Sequence, residues 1–212
     1  QELPAGSVVG ADGLCLSFAE ADDTQRKLAN YGIEYRLNQD LLEKVWADRP
    51  ELPTKPLFLH PEEYAGASAA ERIESVRAEL RSQGANATII TMIDELAWVF
   101  NVRGNDVLFN PVAVAFGYIG EKEAVIFVRP EKVPAEVRAY LEKNGVTIKD
   151  YTELDSFVAS LGADVRLLVD TKRITYHIYS LIPAHCRKIE GVSVLTHLKS
   201  IKNATELANL RK

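Results

Sequence analysis

An α/β layered domain with a mixed sheet flanked by helices is the fold class that three features of the sequence predict. Amphipathic helical stretches alternate with short β-rich runs. A glycine closes each helical stretch. Two β-rich runs, 112–119 and 124–128, are separated only by Gly120-Glu121-Lys122-Glu123, which reads as a hairpin set into the alternation.

The helix–glycine–strand unit recurs four times. The first runs from Glu20 to Asn30, then Gly32, then Ile33 to Leu37. The second opens on Ser68-Ala69-Ala70-Glu71, a capping box in which hydroxyl and carboxylate each satisfy a free amide at the helix start. Ile73, Val76 and Leu80 then share one face, Gly84 supplies a left-handed stop, and Ala87 to Met92 form a strand. In the third, Pro134 stands at the first helical turn, Val137, Tyr140 and Leu141 make the apolar stripe, and Gly145 precedes the strand Val146 to Ile148. The fourth runs from Leu154 to Leu161, then Gly162, then the strand Val165 to Val169. The segment 38–65 breaks this rhythm. Pro50, Pro53, Pro56 and Pro61 are too many for a helix or a central strand, so it reads as an extended connector. The stretch from Leu195 to Lys212 is polar and helical in pattern, as the lead-in to a further domain would be.

Composition narrows the function classes. The chain has 212 residues, 47% hydrophobic and 26% charged, enough to bury a sizeable core. Its net charge is -5, and its strongest basic cluster is Arg187-Lys188, so no nucleic-acid partner is expected. No apolar run approaches the ~20 residues that span a bilayer, so no membrane partner is expected. Two cysteines, Cys15 and Cys186, are too few for a disulfide framework, and a cytoplasmic setting is expected. The chain begins at Gln1 in mid-pattern, as a piece of a longer protein would.

Familiar catalytic signatures are absent from the sequence. It has no G-x-G-x-x-G after a strand, no G-x-x-x-x-G-K-[ST], no G-x-S-x-G, no C-x-x-C and no H-E-x-x-H. His177, His185 and Cys186 lack the paired short spacing of a zinc site and read as surface or half-buried side chains. The most pointed run is Asp94 to Asp106, directly after the Ile89-Ile90 strand, where α/β sheets tend to collect ligand sites. Asp94 and Glu95 open a short helix whose dipole favours them. Trp98 needs a partner for its indole N–H. Arg103 and Asp106 flank Gly104, either as an acid–base couple or as a structural ion pair that pins the loop with Trp98 in the core.

This run, Leu96-Ala97-Trp98-Val99-Phe100-Asn101-Val102-Arg103-Gly104-Asn105-Asp106 with Phe109-Asn110-Pro111-Val112, closely resembles the middle domain of three-domain Xaa-Pro aminopeptidases. Trp46, Arg49-Pro50, Pro53 and Pro56 resemble that family's W-x-x-R-P-x-x-P-x-x-P stretch. Tyr64-Ala65-Gly66, and later Leu198 to Asn203 with Glu206-Leu207, follow in the family's order. The resemblance implies an α/β fold of creatinase/prolidase N-terminal type (ribonuclease H-like). It implies residues 1–37 as the tail of a first N-terminal domain, 38–65 as the Pro-rich connector, 66–200 as the second such domain, and 201–212 as the lead-in to a catalytic domain.

It also implies that the catalytic "pita-bread" domain, with two metal ions, usually manganese, on Asp, Asp, His, Glu and Glu, is absent from this chain, which itself binds no cofactor and holds no catalytic or metal-ligating residue. The expected partners are the chain's own C-terminal catalytic domain, short Xaa-Pro peptides and a second copy in a homodimer. Trp98, Arg103, Asp106 and Asn110 are the candidates for the face toward the substrate cleft. Relatives often carry Ser, Pro and Tyr where this chain has Asn105, Leu108 and Phe109, and aromatics where it has Ala113 and Val114. A stand-alone binding or scaffold module of the same fold is the other reading.

Overall fold

The computed structural model describes residues 3–212. Its first part is a small β-α-β unit, in which β1 (Val8–Gly10) and β2 (Glu34–Arg36) pair in parallel through α1 (Phe18–Ala29). The helix starts two residues before the expected Glu20, because Ser17 and Glu20 form a reciprocal capping box.

Beyond the Pro-rich stretch come β3 (Phe58–Leu59), α2 (Glu62–Ala65), α3 (Ala69–Ser82), β4 (Ala87–Ile90), α4 (Ile93–Val99), β5 (Val102–Arg103), β6 (Phe116–Ile119) and β7 (Ala124–Phe127). They are followed by α5 (Ala135–Lys143), β8 (Val146–Lys149), α6 (Leu154–Ala159), β9 (Arg166–Val169), α7 (Tyr176–Leu181), β10 (Arg187–Glu190), α8 (Val194–Ser200) and α9 (Ala204–Leu210).

Six strands form one mixed sheet in the order β10-β9-β4-β6-β7-β8. β10, β9 and β4 run parallel, β6 is antiparallel to both its neighbours, and β8 is parallel to β7. The expected mixed α/β sheet with an inserted hairpin is therefore observed. Strand β7 is buried along its whole length, and its alternation divides the core. Ile126 packs with Ile73, Val76 and Leu80 of α3, Leu96 and Val99 of α4, and Val137 and Leu141 of α5. Val125 and Phe127 face the other way, onto Leu154 and Val158 of α6 and Ile178 of α7.

The first three glycine stops lie where expected, with Gly32, Gly84 and Gly145 all at positive φ. The fourth does not. Gly162 keeps an ordinary φ, and α6 ends earlier, at Ala159. The hairpin's first strand is also shorter than expected, because residues 112–115 approach the sheet as buried loop and pairing begins at Phe116.

The stretch 38–65 is not extended throughout. Its last third belongs to the body: β3 pairs antiparallel with β5, Leu57 N donates to Lys132 O at 2.8 Å, and His60 N donates to Asn101 O at 2.8 Å. Pro61 permits α2 because it stands at the helix's N-cap, where no amide is needed. The N-terminal unit is tied to the same body. Phe18 N donates to Ile174 O at 2.9 Å, and the Phe18 ring stacks on Tyr179 at 3.6 Å.

Ile126 is fully enclosed between the sheet and three helices. Ile126→Ala is expected to destabilise the chain by about 2–5 kcal/mol, read as a lower midpoint in urea unfolding.

Candidate functional site

The run singled out in the sequence folds as α4, a tight turn, β5 and a loop from Gly104 to Pro111. At its head, Asp94 pairs with Lys199 of α8. Glu95 is 3% exposed and accepts from Arg173 Nη1 at 2.7 Å, Ser193 Oγ at 2.8 Å and Thr196 Oγ1 at 2.5 Å. These acids do open the helix as expected, but their partners hold it against α8.

The helix ends at Val99, and two residues on comes Asn101, whose φ of 53° is a conformation asparagine tolerates better than most residues. Its side chain is fully buried. Oδ1 accepts from Arg72 Nη1 at 2.8 Å, and Nδ2 donates to Ala67 O at 2.8 Å and to the Tyr140 hydroxyl at 3.0 Å. Arg72 itself is 4% exposed. It also donates to Trp98 O at 2.5 Å, to Ala65 O at 2.7 Å and to Glu206 Oε1 at 3.0 Å. Its guanidinium lies 4.6 Å from the centre of the Trp98 ring.

Trp98 is therefore half-buried beneath a cation. Arg103 lies on β5 opposite Phe58, and its Nη1 donates to Ala97 O at 2.6 Å and Val102 O at 3.0 Å. Burial, then the nearby Arg72 charge, pulls its guanidinium below the ordinary arginine value. The expected couple with Asp106 does not form. The Asp106 side chain is 0% exposed, paired with Lys132 and accepting from Val114 N at 2.7 Å, with Oδ1 lacking a partner. Lys132 reaches it from a short 3-10 turn at Pro130–Lys132 and is 1% exposed.

Gly104 is required where the loop turns, because a Cβ there would meet the Ala113 Cβ at 2.7 Å. Asn110 is exposed at the loop's far end, bonded back to Val107 O at 3.2 Å. Between them Phe109, with φ of 63°, is 97% exposed, and Leu108 is 79% exposed. So Arg103 reaches the main chain just before Trp98 through Ala97 O, Asp106 is the loop's internal anchor on Lys132, and Asn110 stands apart toward the tip. The sequence reading missed Arg72, His60 and Lys132. Arg72 and Lys132 look like surface residues in a charged stretch, and His60, ahead of Pro61 in the Pro-rich stretch, has no partner that the sequence names.

Among the described residues, no three His, Cys, Asp or Glu side chains cluster as metal ligands would. His177 bonds Asp155 at 2.7 Å and His185 bonds Leu161 O at 2.8 Å, and both cysteines are free thiols.

Residues 48–206 match the family model described as the Creatinase/Prolidase N-terminal domain. The chain belongs to this family. The match begins inside the stretch 38–65, just before the body starts, and ends inside 201–212, at the residue that pairs with Arg72. The probable Xaa-Pro aminopeptidase P of Sordaria macrospora is 32% identical over 223 residues, covering 100% of this chain and 36% of that protein. Aminopeptidase P1 of Arabidopsis thaliana is 30% identical over 236 residues, covering 99% and 36%. The crystal structure of X-prolyl aminopeptidase from Caenorhabditis elegans, described as a cytosolic enzyme with a di-nuclear active site, superposes with a TM-score of 0.92 at 27% identity. It covers 99% of this chain and 35% of that one. The chain thus spans about a third of the length of these relatives.

Two outcomes follow for this creatinase/prolidase-type domain. Removing one member of a buried ion pair costs about 3–5 kcal/mol, whereas an apolar replacement of both is often near neutral. Lys132→Ala is therefore expected to lower stability by that amount in urea unfolding, and Lys132→Met with Asp106→Leu by much less. His60 sits below its ordinary pKa through burial first, then the Arg103 and Arg72 charges. In an NMR titration its pKa is expected to move upward in Arg103→Gln, because one repulsion of the imidazolium is gone.

Proposed function

We propose that this chain is the non-catalytic middle part of a metal-dependent Xaa-Pro aminopeptidase, shaping substrate access to a catalytic domain that follows it. The observation that carries this reading is the likeness to the Caenorhabditis elegans X-prolyl aminopeptidase, which extends over 99% of the chain while using 35% of that enzyme. The chemistry, hydrolysis of the bond before proline, then belongs to the remaining part of the protein. Two manganese ions there would supply a metal-activated water, and none of their ligands lies in this chain.

In this reading Trp98, Arg103 and Asn110 face the cleft. Asp106 serves that face from behind, through its bond to Val114 N and its pairing with Lys132. The exposed Leu108 and Phe109 narrow the approach, which favours short peptides. The protein works as a homodimer in the cytoplasm, a setting consistent with two unpaired thiols and with the cytosolic relative.

The test is turnover of an Ala-Pro peptide by the full-length protein. Activity that a chelator abolishes and manganese restores, with none from residues 1–212 alone, is the expected result. A full-length protein inert toward Xaa-Pro peptides with manganese present overturns the reading.

A further inference from the structure

Arg103 departs from a rule that the other sheltered arginines obey. Arg72, Arg77, Arg129, Arg138 and Arg173 are buried or half-buried, and each has a carboxylate oxygen within 3.9 Å. Arg103 is half-buried and has no carboxylate partner among the described residues. A charge withdrawn from water normally finds an opposite charge, and this one has been left without it.

The guanidinium is nonetheless held in place. Both of its hydrogen bonds leave through Nη1, to Ala97 O and Val102 O. That fixes the plane of the group and leaves Nε and Nη2, the edge that grips a carboxylate with two parallel bonds, without a protein acceptor among the described residues. Neither atom is sealed from solvent.

The surroundings have the same preference. The antiparallel register sets Phe58 opposite Arg103, and His60, one residue past β3, is tied by its N–H to Asn101 O at 2.8 Å, close enough for its imidazole to feel the Arg103 charge. His60 and Arg103 each sit below their ordinary pKa, with burial the largest cause and neighbouring positive charge the next. Glu206, whose negative charge is felt by both His60 and Arg103, is already paired with Arg72 at 3.0 Å. Phe58, 40% exposed, adds an apolar wall beside the open edge.

We infer that Arg103, with His60 beside it, binds the free C-terminal carboxylate of a short peptide. This rests on the proposed role in Xaa-Pro aminopeptidase access and specifies it. Hydrolysis takes place near the peptide's amino end, so a cation that grips the other end measures length. Peptides that span the distance gain a two-pronged, charge-assisted contact, and Phe58 packs on their last side chain. Longer chains and blocked ends forgo the contact.

The experiment uses the full-length protein stripped of metal with a chelator, so that binding is read without turnover. Ala-Pro-Leu is titrated calorimetrically as the free acid and as the C-terminal amide. Wild type is expected to bind the acid about 10- to 100-fold more tightly, the range of a charge-assisted hydrogen bond in a sheltered site. Arg103→Gln is expected to abolish that preference, and Arg103→Lys to keep part of it. Equal affinity of wild type for acid and amide overturns the inference. So does a preference that survives Arg103→Gln. If that variant instead lowers the melting temperature of the full-length protein and leaves the preference intact, the carboxylate belongs to the neighbouring domain and the inference fails. Turnover of Xaa-Pro peptides without an acid preference leaves the proposed function standing and removes this inference. A preference without turnover under manganese does the reverse.

Discussion

A guanidinium taken almost wholly out of water imposes strict terms on everything around it, and Arg72 is in that position. Burying such a charge is unfavourable by several kcal/mol unless its donors all find acceptors. The two Nη groups of Arg72 find four, on elements far apart in sequence: Ala65 O at the end of α2, Trp98 O in α4, the Asn101 side chain beyond α4, and Glu206 in α9. Each acceptor can hold its place only if the others hold theirs. Asn101 is held further by Ala67 O and by the Tyr140 hydroxyl, which in turn donates to Glu62 at 3.2 Å. Asn203 Nδ2 donates to Ala65 O at 2.8 Å, so the last helix is held twice. The network explains why residues 201–212, expected as a lead-in, are packed onto the body through α9.

The α4–β5 turn inherits its geometry from this network. With Asn101 fixed at positive φ, the chain must reverse at once, and Val102–Arg103 falls into register with Phe58–Leu59. That register sets Arg103 opposite Phe58, and the bond from His60 N to Asn101 O brings His60 within reach of the Arg103 charge. The loop that follows is closed by its own backbone bonds, Asp106 N to Val112 O and Asn110 N to Val107 O, both at 3.2 Å, and the Lys132–Asp106 pair anchors it to the body. A rigid base therefore carries a loop whose outermost side chains, Leu108 and Phe109, touch almost nothing.

Local signals in the sequence were legible because they act over four residues or fewer. Ser68 and Glu71 form their capping box, Gly84 and Gly145 adopt the left-handed stops, and Val137 and Leu141 are buried where the apolar stripe put them. Strands β1 and β10 escaped notice because neither alternates cleanly. Arg187-Lys188 begins β10 and reads as a surface patch, and Val8 is half exposed. The site was legible as a run of residues but not as a set of partners. Asp106 stands three positions from Arg103, yet its partner Lys132 is 26 residues away in a segment with no motif. Arg72, in Glu71-Arg72-Ile73-Glu74, has the look of an exposed helical charge. Only three-dimensional convergence of main-chain carbonyls makes it an interior residue, and main-chain carbonyls leave no mark in a sequence.

The same convergence decides where a ligand can sit. In open α/β sheets ligands favour the crevice beyond the carboxyl ends of parallel strands. Here that crevice lies beyond β4 and β9, and the protein has filled it. Glu95, Arg173, Asp170 and Ser193 cross-bond there, around a cavity of about 20 Å³ lined also by Thr88 and Thr91, room for a single water molecule. Helix α8 closes it from above, with Lys199 on Asp94 and Thr196 on Glu95. The fold's usual binding position has become the joint that fixes α8 to α4. Polar groups with unspent bonding capacity must then be sought elsewhere. The Trp98 ring face is occupied by Arg72, and Asp106 is sealed inside with Lys132. The open edge of Arg103, flanked by His60 and Phe58 on the β3–β5 pair, is where this arrangement leaves a sheltered charge still able to take a partner.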